Sequence, residues 1–97
     1  MAESLRIDRW LWHARFYRTR GLAQDAASSG VLRLNNTRVA KPSVSVRPGD
    51  ILTVPRSREI VVVRVQALGV RRGPATEAQA LYERVPDRAL DPAATAA

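Results

Sequence analysis

Apolar residues recur at Ile7, Trp10, Leu11 and Ala14, the i, i+3, i+4 and i+7 spacing of one helical stripe. That spacing predicts a helix near Ile7 to Phe16, with Met1 to Ser4 as a frayed start and Ser4 or Leu5 leading into it. Thr19 then reads as the N-cap of a second helix, Arg20 to about Ser29, which Gly30 ends as the C′ residue. Leu22, Ala23, Ala26 and Ala27 are its apolar positions, mostly small enough for it to lie close against the first helix.

From Val31 the period changes. Val31 to Leu34 reads as a strand, Asn35-Asn36 as a tight turn and Thr37 to Val39 as the return strand, because asparagine tolerates positive φ. Pro42 ends that strand, and Val44 and Val46 mark a short extended piece. Pro48-Gly49 fits the centre of a type II turn, followed by Asp50. Ile51 to Val54 is a strand, Pro55 to Glu59 an exposed loop, and Ile60 to Val65 the longest β-branched run, expected as the central strand. Gly69 to Pro74 is a basic loop. Thr76 with Gln79 fits a capping box that opens a helix through about Arg84, docked by Leu81 and Tyr82. The order predicts an α+β domain: two N-terminal helices packed on a small twisted, mostly antiparallel sheet, then a short C-terminal helix. Residues 1–86 form this domain in the expectation, and Asp87 to Ala97, built of Ala, Asp, Pro and Thr without periodicity, a disordered tail.

Composition narrows the functional classes. A chain of 97 residues with 45% apolar content is one small globular domain with a modest core. The absence of cysteine excludes disulfides, thiolate zinc ligands and thiol catalysis, and fits a cytoplasmic location. No apolar run is long enough for a membrane span, and no secretory h-region is visible. Sixteen basic residues stand against nine acidic ones, for a net charge of +7 and a pI of about 11.4. Such an excess points to nucleic acid or an anionic membrane surface. All the basic residues except Lys41 are arginine, whose planar fork suits phosphate and base stacking, although codon bias also favours arginine.

Five of these arginines fall between Arg6 and Arg20, against one acid, Asp8. Arg15, Arg18 and Arg20, with Thr19, surround the joint between the two helices, where free backbone N–H groups attract an anion. Arg6 and Arg9 lie one turn apart on a flank of the first helix, and a phosphate backbone can follow them to the joint. Lys41 and the hairpin tip widen that footprint, although turn geometry explains Asn35 and Asn36 better. His13 is expected as a surface or stacking residue beside Arg9, since no partner for histidine catalysis is signalled. Trp10 belongs to the core stripe. Trp12 lies off it, and two readings stay open: a base-stacking platform, or packing against the sheet edge or the C-terminal helix. Asp8 reads as structural, favouring the helix dipole and orienting Arg15 or Arg20. Arg56, Arg58, Arg71 and Arg72 are loop charges, either a second patch or solubilising. No acid pair, phosphate loop or metal-ligand spacing is present, so no enzyme, cofactor or metal site is expected.

The order Arg6-Ile7-Asp8-Arg9-Trp10-Leu11, Thr19-Arg20, Gly30-Val31, Asn35-Asn36, Lys41-Pro42-Ser43 and Pro48-Gly49-Asp50 resembles the S4 RNA-binding domain. The run Trp10 to Arg20, with Arg72-Gly73-Pro74-Ala75 and Glu77 to Tyr82, is similar to the ribosome-associated heat-shock and quality-control branches of that family. The resemblance implies an αL motif with RNA held along the helices and hairpin. It also implies that its partner is ribosomal RNA, on the free large subunit carrying peptidyl-tRNA, with tRNA as a further partner, in rescue or quality control of stalled translation; nothing in the sequence suggests more than a monomer. RNA contact carries over to Arg6, Arg9, Arg15 and Arg20, and then to Arg18, Thr19 and Lys41. Two differences stand out: Asn36 replaces the usual turn glycine, and a short alanine-rich end replaces the long basic extension of the heat-shock branch. Other readings are a targeting subunit for a separate RNA-modifying enzyme and, last, a basic protein bound to anionic lipid.

Overall fold

The computed structural model describes residues 3–56 and 59–85. The loop residues Ser57 and Arg58, and the expected tail, lie outside them. A two-residue strand, β1 (Leu5–Arg6), leads into α1 (Ile7–His13), and α2 (Arg20–Ser28) follows after a joint. Next come β2 (Arg33–Leu34), β3 (Thr37–Arg38), β4 (Ser45–Val46), β5 (Ile51–Arg56) and β6 (Glu59–Val65), then α3 (Ala75–Gln79) and β7 (Tyr82–Val85). The antiparallel sheet runs β3-β2-β5-β6-β7, and β1 pairs separately with β4. The β-branched run is therefore an interior strand, but β5 is the middle one.

Alternation along the strands builds the core. Leu52, Val54, Val61, Val63 and Val65 present one face of the sheet to Ile7, Trp10, Leu11 and Ala14 of the predicted stripe, and to Ala23 and Ala27 of α2. Leu22, expected on the inner face of α2, is instead 49% exposed.

The first helix is shorter than its apolar period. Its last turn closes as a Schellman motif: the Arg15 amide donates to the Trp12 carbonyl at 3.1 Å and the Phe16 amide to the Leu11 carbonyl at 3.0 Å. Arg15 holds the left-handed conformation, φ 64°, that glycine usually takes there. Phe16 is thereby folded back onto the core, 6.0 Å from the Trp10 ring and 4.8 Å from Tyr82. The start also differs, because Leu5 and Arg6 pair with Val46 and Ser45 as a strand. The amides of Ile7 and Asp8 then donate to the Val44 and Pro42 carbonyls, which satisfies the first donors of α1.

The second helix matches its prediction. Thr19 Oγ1 accepts from the Leu22 amide at 3.1 Å, and Gly30 follows the helix at φ 82°. Asn35 and Asn36 both take positive φ, 51° and 69°, so the hairpin turn forms without glycine. Asn35 also donates to Asp50 and accepts from the Ile51 amide, tying the tip to the Pro48-Gly49 turn.

The C-terminal expectation needs correction. The last helix starts at Ala75 with no side-chain cap, so Thr76 lies inside it and no capping box forms. It ends at Gln79. Tyr82 to Val85 form an edge strand on β6, where Glu83 pairs with Arg64 across the strands and Arg84 reaches Glu59 at 2.7 Å.

Candidate nucleic-acid interface

A buried carboxylate lies under the basic surface. Asp8 is fully buried. It accepts two bonds from Arg6, Nε and Nη2 each at 3.1 Å, and one from the Arg9 amide at 2.8 Å, and Arg20 stands 3.8 Å away. Burial by itself raises the carboxyl pKa. The Arg6 bonds, the Arg9 amide and the Arg6 charge outweigh it and hold the group below its ordinary value. One carboxylate thus binds the Arg6 guanidinium through two hydrogen bonds and pairs with that of Arg20 at longer range, and the cluster stays net positive. Both arginines remain partly open to solvent, with side chains 48% and 37% exposed. Asp8 orients Arg6 and Arg20, and does not orient Arg15.

Three side chains of the α1 region reach the segment after β6. Trp10 Nε1 donates to the Ala67 carbonyl at 2.8 Å. His13 is only 4% exposed, and its Nδ1 lies 3.3 Å from the Leu68 carbonyl, to which it donates when that nitrogen carries the proton. Arg15 Nε donates to the Gly73 carbonyl at 2.6 Å. The expectation of a surface His13 is therefore wrong, because its acceptor comes from 55 residues away and covers it. These bonds strap the 67–73 segment along α1. The strap leaves little room: a Cβ on Gly69, at φ 74°, would stand 3.0 Å from a Leu81 methyl group.

Between α1 and the strapped loop opens a cleft of about 520 Å³, lined by Arg9, Trp12, His13, Arg20, Val70, Arg71 and Arg72. Trp12 lines this cleft. Its indole neighbours the His13 ring, and the Arg72 guanidinium carbon sits 5.9 Å from its centroid. Glu77 holds Arg71 by its Nε and Nη2, the shorter bond at 3.1 Å. Two donors in this wall, Arg20 Nε and Arg72 Nε, are buried and have no acceptor among the described residues. A buried donor left unpaired costs about 1–3 kcal/mol.

The structure thus brings Arg6, Arg9 and Arg20 together around Asp8. Arg15 is exposed, with its Nε bonded to the Gly73 carbonyl. Arg18 is exposed in the joint and makes no ion pair among the described residues, and Thr19 spends its hydroxyl on the helix cap. Lys41 is exposed on the turn whose Pro42 and Val44 carbonyls meet the start of α1. Arg71, Arg72 and Val70 were legible only as a loop. Their basic doublet was visible, but nothing local placed it opposite Arg9 and Arg20.

Among the described residues no group of three or more His, Cys, Asp or Glu is placed to hold a metal, and no helix is long and apolar enough to cross a membrane.

Two N-terminal helices joined by a basic corner, with the hairpin and its sheet behind them, are the arrangement of an S4 domain. A model of that domain matches residues 5–52, and this chain belongs to the S4 domain family. Among its relatives is Heat shock protein 15 of Escherichia coli strain K12, 42% identical over 82 residues that make up 84% of this chain and 61% of that protein. The chain thus spans less than two thirds of that relative's length. The RQC P-site tRNA stabilizing factor of Bacillus subtilis strain 168 is 38% identical over 64 residues, 66% of this chain and 73% of that one. The solved trimeric structure of Vibrio cholerae Heat Shock Protein 15 superposes with a TM-score of 0.82 at 34% identity, covering 97% of this chain and 94% of that one. The family model stops at residue 52, but the structural likeness takes in the strapped loop, α3 and β7.

Proposed function

We propose that this chain is a non-enzymatic RNA-binding protein of the ribosome. In this reading, Arg6, Arg9, Arg18 and Arg20 grip the phosphate backbone of ribosomal RNA, with Thr19 and Lys41 at the margin. Arg15 contributes by fixing the adjoining loop. Its site of action is the free large subunit that still carries peptidyl-tRNA, in rescue or quality control of stalled translation. The observation that carries this reading is the buried Asp8 with two guanidiniums converging on it. The Arg6 head is held in place, with that of Arg20 beside it, before any ligand arrives, which cuts the ordering cost of binding. The names of the relatives, a heat shock protein and a tRNA stabilizing factor of the P site, support the ribosomal setting.

The test is cosedimentation with purified large subunits, with and without peptidyl-tRNA, at rising salt. Binding is expected at low salt, tighter with peptidyl-tRNA, and falling steeply as salt rises. No sedimentation with subunits at low salt would overturn the reading. Equal binding to both kinds of subunit would remove the rescue role and leave ribosomal RNA binding.

A further inference from the structure

We propose that the cleft between α1 and the strapped loop is a nucleotide subsite that takes one unpaired base of the bound RNA. This rests on the RNA-binding reading above and adds a ligand chemistry that a guanidinium surface alone does not need. Phosphate recognition requires cations, and Arg9, Arg20, Arg71 and Arg72 supply them. The same cleft also carries an indole, Trp12, and an aliphatic side chain, Val70. Val70 is 92% exposed, well beyond the other exposed large apolar side chains, Leu22, Val31 and Ile60, which lie between 49% and 58%. An exposed aliphatic group beside an aromatic ring and several guanidiniums is a surface for the apolar faces of a base, with its phosphates on the rim.

Size agrees with this. A cleft of about 520 Å³ falls within the range of roughly 300–1,000 Å³ usual for small-molecule sites. It is far more than a phosphate group occupies. Arg20 and Arg72 line the same space, and a nucleotide offers acceptors for the solvent-facing N–H groups of their guanidiniums, on its phosphate and on its base edge. The cleft is also built in advance. Its loop is bonded at one end to α1, by His13 to Leu68, and at the other to the turn after it, by Arg15 to Gly73, so the walls need not be ordered when a base enters.

The two tryptophans make this measurable. Trp10 is fully buried and Trp12 is partly exposed in the cleft, so a base stacked there changes the emission of Trp12 alone. The full chain is titrated with hexameric oligoadenylate and with an abasic hexamer of equal charge. Tryptophan emission and the anisotropy of a labelled probe are followed together. Oligoadenylate is expected to quench emission and to bind more tightly than the abasic chain. Trp12→Leu should weaken oligoadenylate binding by roughly 5- to 150-fold, the range for one stacked base, and leave abasic binding unchanged. Trp12→Phe should restore most of the loss. Val70→Ser, at a site too exposed to matter for folding, should weaken oligoadenylate binding several-fold with an unchanged melting temperature.

Equal affinity for both hexamers without quenching, or wild-type affinity in both Trp12→Leu and Val70→Ser with the quench retained in Trp12→Phe, overturns the subsite. In that result the anisotropy still reports binding, and the RNA-binding reading stands. Failure of either hexamer to bind at low salt, together with failure to sediment with subunits, takes down both.

Discussion

Asp8 shows how one side chain sets a surface. It lies at the first turn of a helix and is covered completely, yet its hydrogen-bonding capacity is filled from outside by Arg6 and from inside by the Arg9 amide. Removing its charge leaves two arginines without their common anchor. Asp8→Asn should cost about 1.5–3 kcal/mol, the range for a hydrogen bond to a charged group. It should also change the pH dependence of stability in a defined direction. The folded carboxyl sits below its ordinary value, so its contribution is complete above the unfolded pKa of about 3.9. The contribution is lost as pH falls through the lower, folded value. Urea unfolding between about pH 6 and the acid limb, compared for wild type and Asp8→Asn, should show the difference shrinking only at the acid end. A constant gap down to the lowest pH would mean that the charge of Asp8 is not what holds the pair. This role was half legible in the sequence: an acid among arginines reads as an anchor, but which arginines it meets depends on the joint bringing Arg20 back beside Arg6.

The end of α1 is the decisive element, and it is the part the apolar stripe could not show. The stripe at Ile7, Trp10, Leu11 and Ala14 marks the buried face correctly, and all four are at most 3% exposed. The helix nevertheless stops before Phe16, because Arg15 adopts a conformation that periodicity does not report. The last helix ends before the residues its pattern predicts for a related reason. Tyr82 to Val85 fit a helical continuation locally, but the free edge of β6 offers backbone partners and the charges of Arg64 and Glu59. The strap from α1 to the loop was invisible too, since its acceptors are carbonyls 55 to 58 residues away. Arg15 joins these points, because its strained backbone aims the side chain that holds Gly73. A left-handed non-glycine residue costs about 1–2 kcal/mol, and a hydrogen bond from a charged group contributes about 1.5–3 kcal/mol. Arg15→Gly should relieve the strain and lose the bond, and so be destabilised by no more than about 2 kcal/mol. Arg15→Ala keeps the strain and loses the bond, so it should be the less stable variant by about 1 kcal/mol. Both should bind RNA more weakly than wild type, as the loop loosens. Chemical denaturation of the three proteins orders them, and Arg15→Ala as the more stable variant would contradict the strain at this position.

At the scale of the whole molecule, the net charge of +7 draws the chain toward any polyanion, and position alone can convert attraction into a specific grip. The sheet sorts the charges. Its inner face, Leu52, Val54, Val61, Val63 and Val65, is packed against the helices. By alternation, Arg64 and Arg33, the latter opposite Thr53, belong to the outer face. Arg9 and Arg18 are exposed on the helical side and have no ion pair among the described residues, so their removal leaves no buried carboxylate uncompensated. Arg6 and Arg20 lack that property, since each also neutralises Asp8. Two double variants of identical net charge therefore separate position from total charge. Arg9→Gln with Arg18→Gln should lower affinity for the large subunit and reduce the salt slope by about two units, one for each phosphate no longer neutralised. Arg33→Gln with Arg64→Gln removes the same two charges from the far side of the sheet, and its slope should stay within a fraction of a unit of wild type. Equal losses in the two variants would mean that the molecule acts as a diffuse cation and that the helical corner has no privileged role.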